Sequence, residues 1–262
     1  MKGRRMLGAI TGDIVGSIYE GHNHKSKDFP FFGQGCTFTD DTVCTIAVAD
    51  CLMNDGDFAD FLRRYVRKHP NRGYGGMFRE WAGSNMGPYN SWGNGSAMRV
   101  SPVAHVARDE QELLDLAEET SVVTHNHPDA VAGAQATALT MWMAKFGIDV
   151  AAIREEISNR FDYNLSPSVD DIRPSYRFDI SCAGTVPQAI TCALEGTDYE
   201  DAVRNAISIC GDADTIACIT GGIAEVMFGL PDEIAEASLG YLTDDLIEVG
   251  DRFQSTKEET FP

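Results

Sequence analysis

Positive charge is scarce in this sequence: 21 Lys and Arg stand against 40 Asp and Glu in 262 residues, a formal net charge of −19. That balance argues against a surface that tracks nucleic-acid phosphates, and non-specific nucleic-acid binding is not expected. An anionic small ligand needs local help instead, from metal ions, helix N-termini or a placed arginine. Cysteine pairing motifs are missing as well. Cys36, Cys44, Cys51, Cys182, Cys192, Cys210 and Cys218 include no CxxC pair. An odd number without framework spacing excludes a disulfide scaffold and points to a reducing compartment. Most of these thiols lie in apolar helical settings, where a buried free cysteine is expected. No uncharged apolar run is long enough to span a membrane. Gly12, Asp13 and Gly16 interrupt the first apolar stretch too soon for a signal peptide. The expectation is a soluble cytoplasmic protein with no membrane partner.

Strand-like alternation, fixed-period repeats and low-complexity segments are also lacking. What remains is helical periodicity. Leu7, Ile10, Ile14 and Ile18 form one stripe of a first helix over 6–19, and Gly8, Gly12 and Gly16 recur every four residues within it. Glycine weakens a helix, so three on one face imply a neighbour packed close against the backbone. Further helices are read over 42–53, 58–69, 77–81, 97–107 with a restart at Pro102, 110–123, 129–146, 150–161, 185–194, 199–209, 216–228 and 232–253. Residues 21–35 read as an apolar loop that packs over something, and 84–96 as a Gly- and Asn-rich loop suited to cradling a ligand. Residues 163–180 read as a polar, Pro-containing connection and the best candidate for a mobile lid or an insertion, and 258–262 as a frayed end. The fold class is all-α: a single-domain orthogonal bundle of about a dozen helices over 1–262, with the functional loops at one end.

Two acidic tetrads stand at the mouths of apolar runs: Thr39-Asp40-Asp41-Thr42 and Gly211-Asp212-Ala213-Asp214-Thr215. Either alone reads as a helix cap, which needs only one such residue. Brought together, four carboxylates repel strongly unless protons or cations intervene. Oxygen-only ligands select Mg²⁺, Mn²⁺ or Ca²⁺ over Zn²⁺ or Cu²⁺. Asp40 and Asp41 point in different directions from a helix, which suits bracketing two ions better than chelating one.

In order along the chain come Gly12-Asp13-Ile14-Val15-Gly16 with Glu20, Phe38-Thr39-Asp40-Asp41-Thr42, Trp92-Gly93-Asn94-Gly95-Ser96-Ala97-Met98-Arg99, Thr124-His125, and Gly211-Asp212-Ala213-Asp214-Thr215-Ile216-Ala217. In these blocks the chain resembles the ADP-ribosylglycohydrolase family, which includes dinitrogenase-reductase-activating and arginine- or serine-ADP-ribose hydrolases. The resemblance implies an all-helical fold with two divalent cations, Mg or Mn, on Thr39, Asp40, Asp41, Asp212, Asp214 and Thr215. It places the family's mobile acid on Glu20 and the diphosphate-cradling loop on Ser91, Trp92, Gly93, Asn94, Gly95 and Ser96. His125 falls near the adenosine end, while residues 86–89 depart from the family pattern for an adenine-stacking aromatic. The implied activity is hydrolysis of the C1″ bond between ADP-ribose and an acceptor. The partners it implies are ADP-ribose, an ADP-ribosylated protein or an ADP-ribosylated small molecule. Glu20, Asp41 and Asp214 are the expected catalytic carboxylates.

Rival readings attach to several of these residues. Glu20 reads equally as an exposed helix-end acid, Arg99 as one half of an internal ion pair, and Trp92 as core. His22, His24, His125 and His127 have a zinc reading, without the usual helical ligand spacing. A relative that binds ADP-ribose without turnover, or serves as a lens crystallin, is the alternative function. A helical His-Asp phosphohydrolase needs an adjacent His-Asp pair that this chain lacks.

Overall fold

The computed structural model describes residues 5–255, so the end read as frayed, 258–262, lies outside the described residues. Among the described residues fifteen helical segments follow one another: α1 (Leu7–Gly16), α2 (Asp40–Met53), α3 (Phe58–Lys68), α4 (Gly76–Ala82), α5 (Gly95–Met98), α6 (Ser101–Val106), α7 (Glu110–Val122), α8 (Pro128–Lys145), α9 (Val150–Phe161), α10 (Val169–Ile172), α11 (Cys182–Leu194), α12 (Tyr199–Ser208), α13 (Ala213–Phe228), α14 (Asp232–Leu239) and α15 (Asp244–Ser255). α5, α6 and α10 are little more than single turns, which leaves the expected dozen of full helices. No strand occurs among the described residues, and none of these helices is long and apolar enough to cross a membrane.

Local chemistry sets many of the boundaries. Asp57, Asp109, Asp149, Ser168, Ser181 and Asp198 each accept a backbone N–H in the first turn of the helix that follows. Pro128 opens α8, where its missing N–H costs nothing. α1 stops at Gly16 rather than Tyr19, because the chain turns there to carry Glu20 outward.

α13 is the axis of the molecule, with every residue from Ala213 to Glu225 buried. A helix apolar all round belongs in a core. α1 lies directly on it through the glycine stripe. A Cβ on Gly12 would stand 1.9 Å from the carbonyl oxygen of Ala217, and one on Gly16 2.5 Å from that of Ala213. Gly221 answers from the other side, where a Cβ would meet the Gly8 carbonyl at 2.3 Å. α2, α8, α11 and α12 pack around this pair in two adjoining hydrophobic clusters. All seven cysteines are free and buried.

The 163–180 connection differs from the expected lid. Leu165, Val169 and Ile172 are buried, and α10 carries a full capping box at Ser168 and Asp171. Val169 N–H donates to Glu195 at 2.9 Å, and Arg173 Nε to Ser208 Oγ at 2.9 Å. The segment is polar by composition yet anchored by three apolar side chains and these bonds.

Glu225 of α13 completes α1. Met6 at the N-cap of α1 offers no side-chain cap, and the Gly8 N–H donates instead to Glu225 Oε2 at 3.1 Å. Glu225 Oε1 is buried without a hydrogen-bond partner among the described residues, and burial pushes the carboxyl up to about 8. A carboxyl raised in the fold above its unfolded value of 4.5 stabilises below that pH, and this contribution is lost as pH rises through about 8. Glu225→Gln should therefore match the native protein in urea melts near pH 5. At pH 9 it should be more stable by about 1–2 kcal/mol, less than the whole shift implies because structure relaxes around an ionised group.

Candidate functional site

The mouths of α2 and α13 open into one cleft of about 540 Å³, within the usual range for a small-molecule site. Its floor is acidic. One oxygen each from Asp13, Asp41 and Asp214 lie within 4.8 Å of one another, and so do oxygens from Glu20, Asp212 and Asp214. Asp214 belongs to both triads. Acids separated by more than 170 residues in sequence are thus neighbours in space, and the expected meeting of Asp41 with Asp214 is observed.

Each carboxylate is held by its surroundings. Asp13, inside α1, accepts from the backbone N–H of Thr39 at 2.9 Å and of Thr42 at 3.1 Å, and from the hydroxyls of both residues. It caps α2 from outside, so its oxygens are already committed. Thr39 Oγ1 and Thr215 Oγ1 each approach Asp41 Oδ2 at 3.4 Å. Asp41 Oδ1 is buried and has no hydrogen-bond partner among the described residues. Asp212 accepts from Asn94 Nδ2 at 2.7 Å, and Asp214 from the Thr215 N–H at 2.9 Å.

Crowding raises all of these acids. Burial pushes Asp40 up to about 8, with the charges of Asp13, Asp212 and Glu20 adding to it. Burial also raises Asp41 and Asp214 well above the usual carboxylate range, and neighbouring carboxylates reinforce the shift. Glu20 is raised by partial desolvation and by Asp212 and Asp13. Such a floor takes up protons or binds cations. An orphaned, buried Asp41 oxygen among oxygen-only donors is what a hard divalent cation fits. Asp41, Asp212, Asp214 and Glu20 stand where they could hold one or two such ions. Asp40 is on the cleft wall beside Gly73 and in neither triad. Thr215 lines the cleft, and Thr39 stands behind it as a brace.

The wall is the glycine-rich loop. Gly93 bridges to Ser181, the Asn94 N–H donates to the Ile180 carbonyl at 2.8 Å and the Cys182 N–H to that of Trp92 at 3.0 Å. The start of α11 therefore clamps the loop. Ser91, Trp92, Gly93, Asn94, Gly95 and His125 all line the cleft. Trp92 is 48% exposed, so it is not core. It forms an apolar rim with Met77 and Ile180, above Tyr89. Ser96 departs from expectation: its hydroxyl turns inward and donates to the Ala130 carbonyl at 2.8 Å. Gly93 N–H and Asn94 N–H are spent on Ser91 Oγ and Ile180, so not every amide of the loop is free for an anion.

Two of the rival readings do not hold. Arg99 is fully buried but pairs with no carboxylate among the described residues. It donates to the Thr120 carbonyl at 2.7 Å and to Thr124 Oγ1 at 2.9 Å, so carbonyl oxygens replace the expected ion pair. The four histidines form no metal-ligand cluster among the described residues: His127 caps α8, His22 bonds its own turn and His125 bonds Thr124. Asp13 is the residue that sequence reasoning missed. Its one signal was an ionisable group in the middle of an otherwise apolar, glycine-striped helix.

A sequence profile described as ADP-ribosylglycohydrolase matches residues 5–260. An ADP-ribosylarginine hydrolase, Tri1, of Pseudomonas putida is 28% identical over 86% of this chain and 70% of its own length. The human ADP-ribosylhydrolase ARH3 is 24% identical over 92% of this chain and 90% of its own. A solved chain titled as part of an ADP-ribosylglycohydrolase-related protein complex superposes with a TM-score of 0.68 at 22% identity, covering 97% of this chain and 96% of that one, and so shares its fold. With the profile spanning nearly the whole sequence, this chain belongs to the ADP-ribosylglycohydrolase family.

Proposed function

We propose that the protein hydrolyses the C1″ bond between an ADP-ribosyl group and its acceptor and releases ADP-ribose. The observation that carries this reading is the shared floor: Asp41, Asp212, Asp214 and Glu20 converge beneath a clamped glycine loop in one cleft. Family membership and the named activities of Tri1 and ARH3 support it.

Asp40, Asp41, Asp212 and Asp214, with Thr39, Thr215 and Glu20, would hold two divalent cations, Mg²⁺ or Mn²⁺. Bound there, they supply Lewis-acid stabilisation of charge at the distal ribose. The chain's own groups do the rest. The Gly95 amide meets the diphosphate, while Trp92, Tyr89 and Met77 offer apolar faces to the nucleoside end. Glu20, exposed at the edge of the cleft and with its pKa raised by desolvation and by Asp212 and Asp13, exchanges a proton between its carboxylate oxygen and the attacking water or the departing acceptor atom. Burial of Asp41 and Asp214 keeps bulk water off the face where oxocarbenium character develops. Seven buried free thiols support a cytoplasmic setting, and the chain works as one catalytic domain.

A panel of ADP-ribosyl-arginine, ADP-ribosyl-serine and small ADP-ribosyl conjugates, scored for free ADP-ribose with Mg²⁺ or Mn²⁺, tests the reading. Release from at least one conjugate is expected, with loss on chelation and recovery on adding metal back. Tight binding of ADP-ribose in calorimetry with no turnover of any conjugate would establish the non-catalytic alternative instead.

A further inference from the structure

The chain Arg99–Thr124–His125 runs beneath the cleft, and the reaction as drawn above does not use it. Thr124 is fully buried. Its Oγ1 receives an N–H from Arg99 Nη2 at 2.9 Å and lies 2.6 Å from His125 Nδ1. Arginine can only donate, so one lone pair of the hydroxyl is taken and its proton must go elsewhere. Among the described residues Nδ1 is the one acceptor at hand. Were Nδ1 to carry the proton instead, the threonine hydroxyl would be left buried with nothing to donate to, at a cost of about 1–3 kcal/mol.

We propose that Arg99 and Thr124 are positioning residues that fix His125 as the neutral Nε2–H tautomer, so that it presents a hydrogen-bond donor to the anionic ligand of the cleft. The proposal rests on the ADP-ribose reading for the ligand, not for the tautomer. Nε2 has no protein partner among the described residues, and it faces the glycine loop. A Cβ on Gly95 would stand 2.9 Å from it, and one on Gly93 3.5 Å. Glycine at these positions keeps the donor open to the cleft. Burial, and secondarily the Arg99 charge, holds the imidazole well below its ordinary pKa, which agrees with a neutral ring. The guanidinium is itself fixed by the Thr120 carbonyl, and its Nη1 is buried without a partner. It therefore also supplies a buried positive charge below the subsite, the placed arginine that a chain of net charge −19 needs to attract an anion.

The test uses the whole protein labelled with ¹⁵N-histidine, the His125 signals being identified by their loss in His125→Asn. At pH 7, long-range ¹H–¹⁵N spectra should show a pyrrole-type nitrogen at Nε2 and a pyridine-type nitrogen at Nδ1. Thr124→Val, which keeps shape and removes the hydroxyl, should disturb that pattern and weaken ADP-ribose in calorimetry about tenfold. Thr124→Ser should restore both. A merely structural threonine would not move the nitrogen shifts. An Nδ1–H or charged ring in the native protein overturns the proposal. So does an unchanged pattern, or unchanged ADP-ribose affinity, in Thr124→Val. If the pattern shifts as expected but ADP-ribose binds neither protein, the tautomer assignment holds and the proposed function falls.

Discussion

Asp214→Ala is expected to cut release of ADP-ribose at least about a hundredfold, the scale on which even supporting residues of a metal centre are felt. Far-ultraviolet circular dichroism should stay native. Asp214 is the acid common to both triads, so its removal opens the two halves of the floor at once. Asp40→Ala should also lose activity, but it removes an acid that faces the floor from the wall and belongs to neither triad. The contrast is informative: equal losses would place Asp40 among the ligands beside the triads, and a clearly smaller loss in Asp40→Ala would leave it a wall residue. Removing an acid that burial, and after it the neighbouring carboxylates, already raises should not harm the fold. Asp214→Ala removes the repulsion that Asp41 and Asp212 exert on Asp214 in the metal-free protein. Its thermal midpoint in chelator is therefore expected at or above that of the native protein, while added Mn²⁺ should raise the native midpoint more than the mutant's. Full activity in Asp214→Ala after chelation would end the proposed reaction.

Gly12→Ala is expected to destabilise the protein by about 3 kcal/mol or more, beyond most overpacking substitutions. The new methyl would overlap main chain, 1.9 Å from the Ala217 oxygen and 2.4 Å from its carbonyl carbon. A flexible side chain can swing aside, but a carbonyl in a buried helix cannot without giving up its own hydrogen bond. α1 must therefore lift from α13. The fall in thermal midpoint should be roughly 10 °C for a protein of this size. Gly21→Ala is a useful control of opposite character, since no heavy atom lies within 4 Å of its would-be Cβ and the strain there comes from a positive φ of 68°. That loss should be about 1 kcal/mol. If Gly12→Ala melts like Gly21→Ala, the seam is looser than described.

The glycine stripe was legible because a four-residue spacing can only mean one helix face, and close backbone approach is the physical use of bare Cα atoms. The tetrads were legible because each holds more acids than a cap requires. Asp13 was not, since its meaning lies in donors from Thr39 and Thr42 on another helix. Arg99 misled for a related reason: sequence offers charges as partners, whereas the guanidinium found carbonyls. Ser96 belongs to a loop whose composition is right for a ligand, but the first turn of α5 rotates its hydroxyl toward Ala130. Residues 163–180 looked loose because α10 is one turn long, too short to leave a periodic trace. Its hold on the protein comes from Glu195 and Ser208, further along the chain.

The seam between α1 and α13 is main chain against main chain, so it sets how deep Asp13 and Asp214 sit without consulting any side chain that could drift. Outer helices such as α3, α9 and α15 are then free to accumulate substitutions, since repacking them leaves the spacing of the acidic floor untouched. Random mutagenesis under selection for turnover should accordingly leave changes dense on the periphery and all but none at positions 8, 12, 16 and 221.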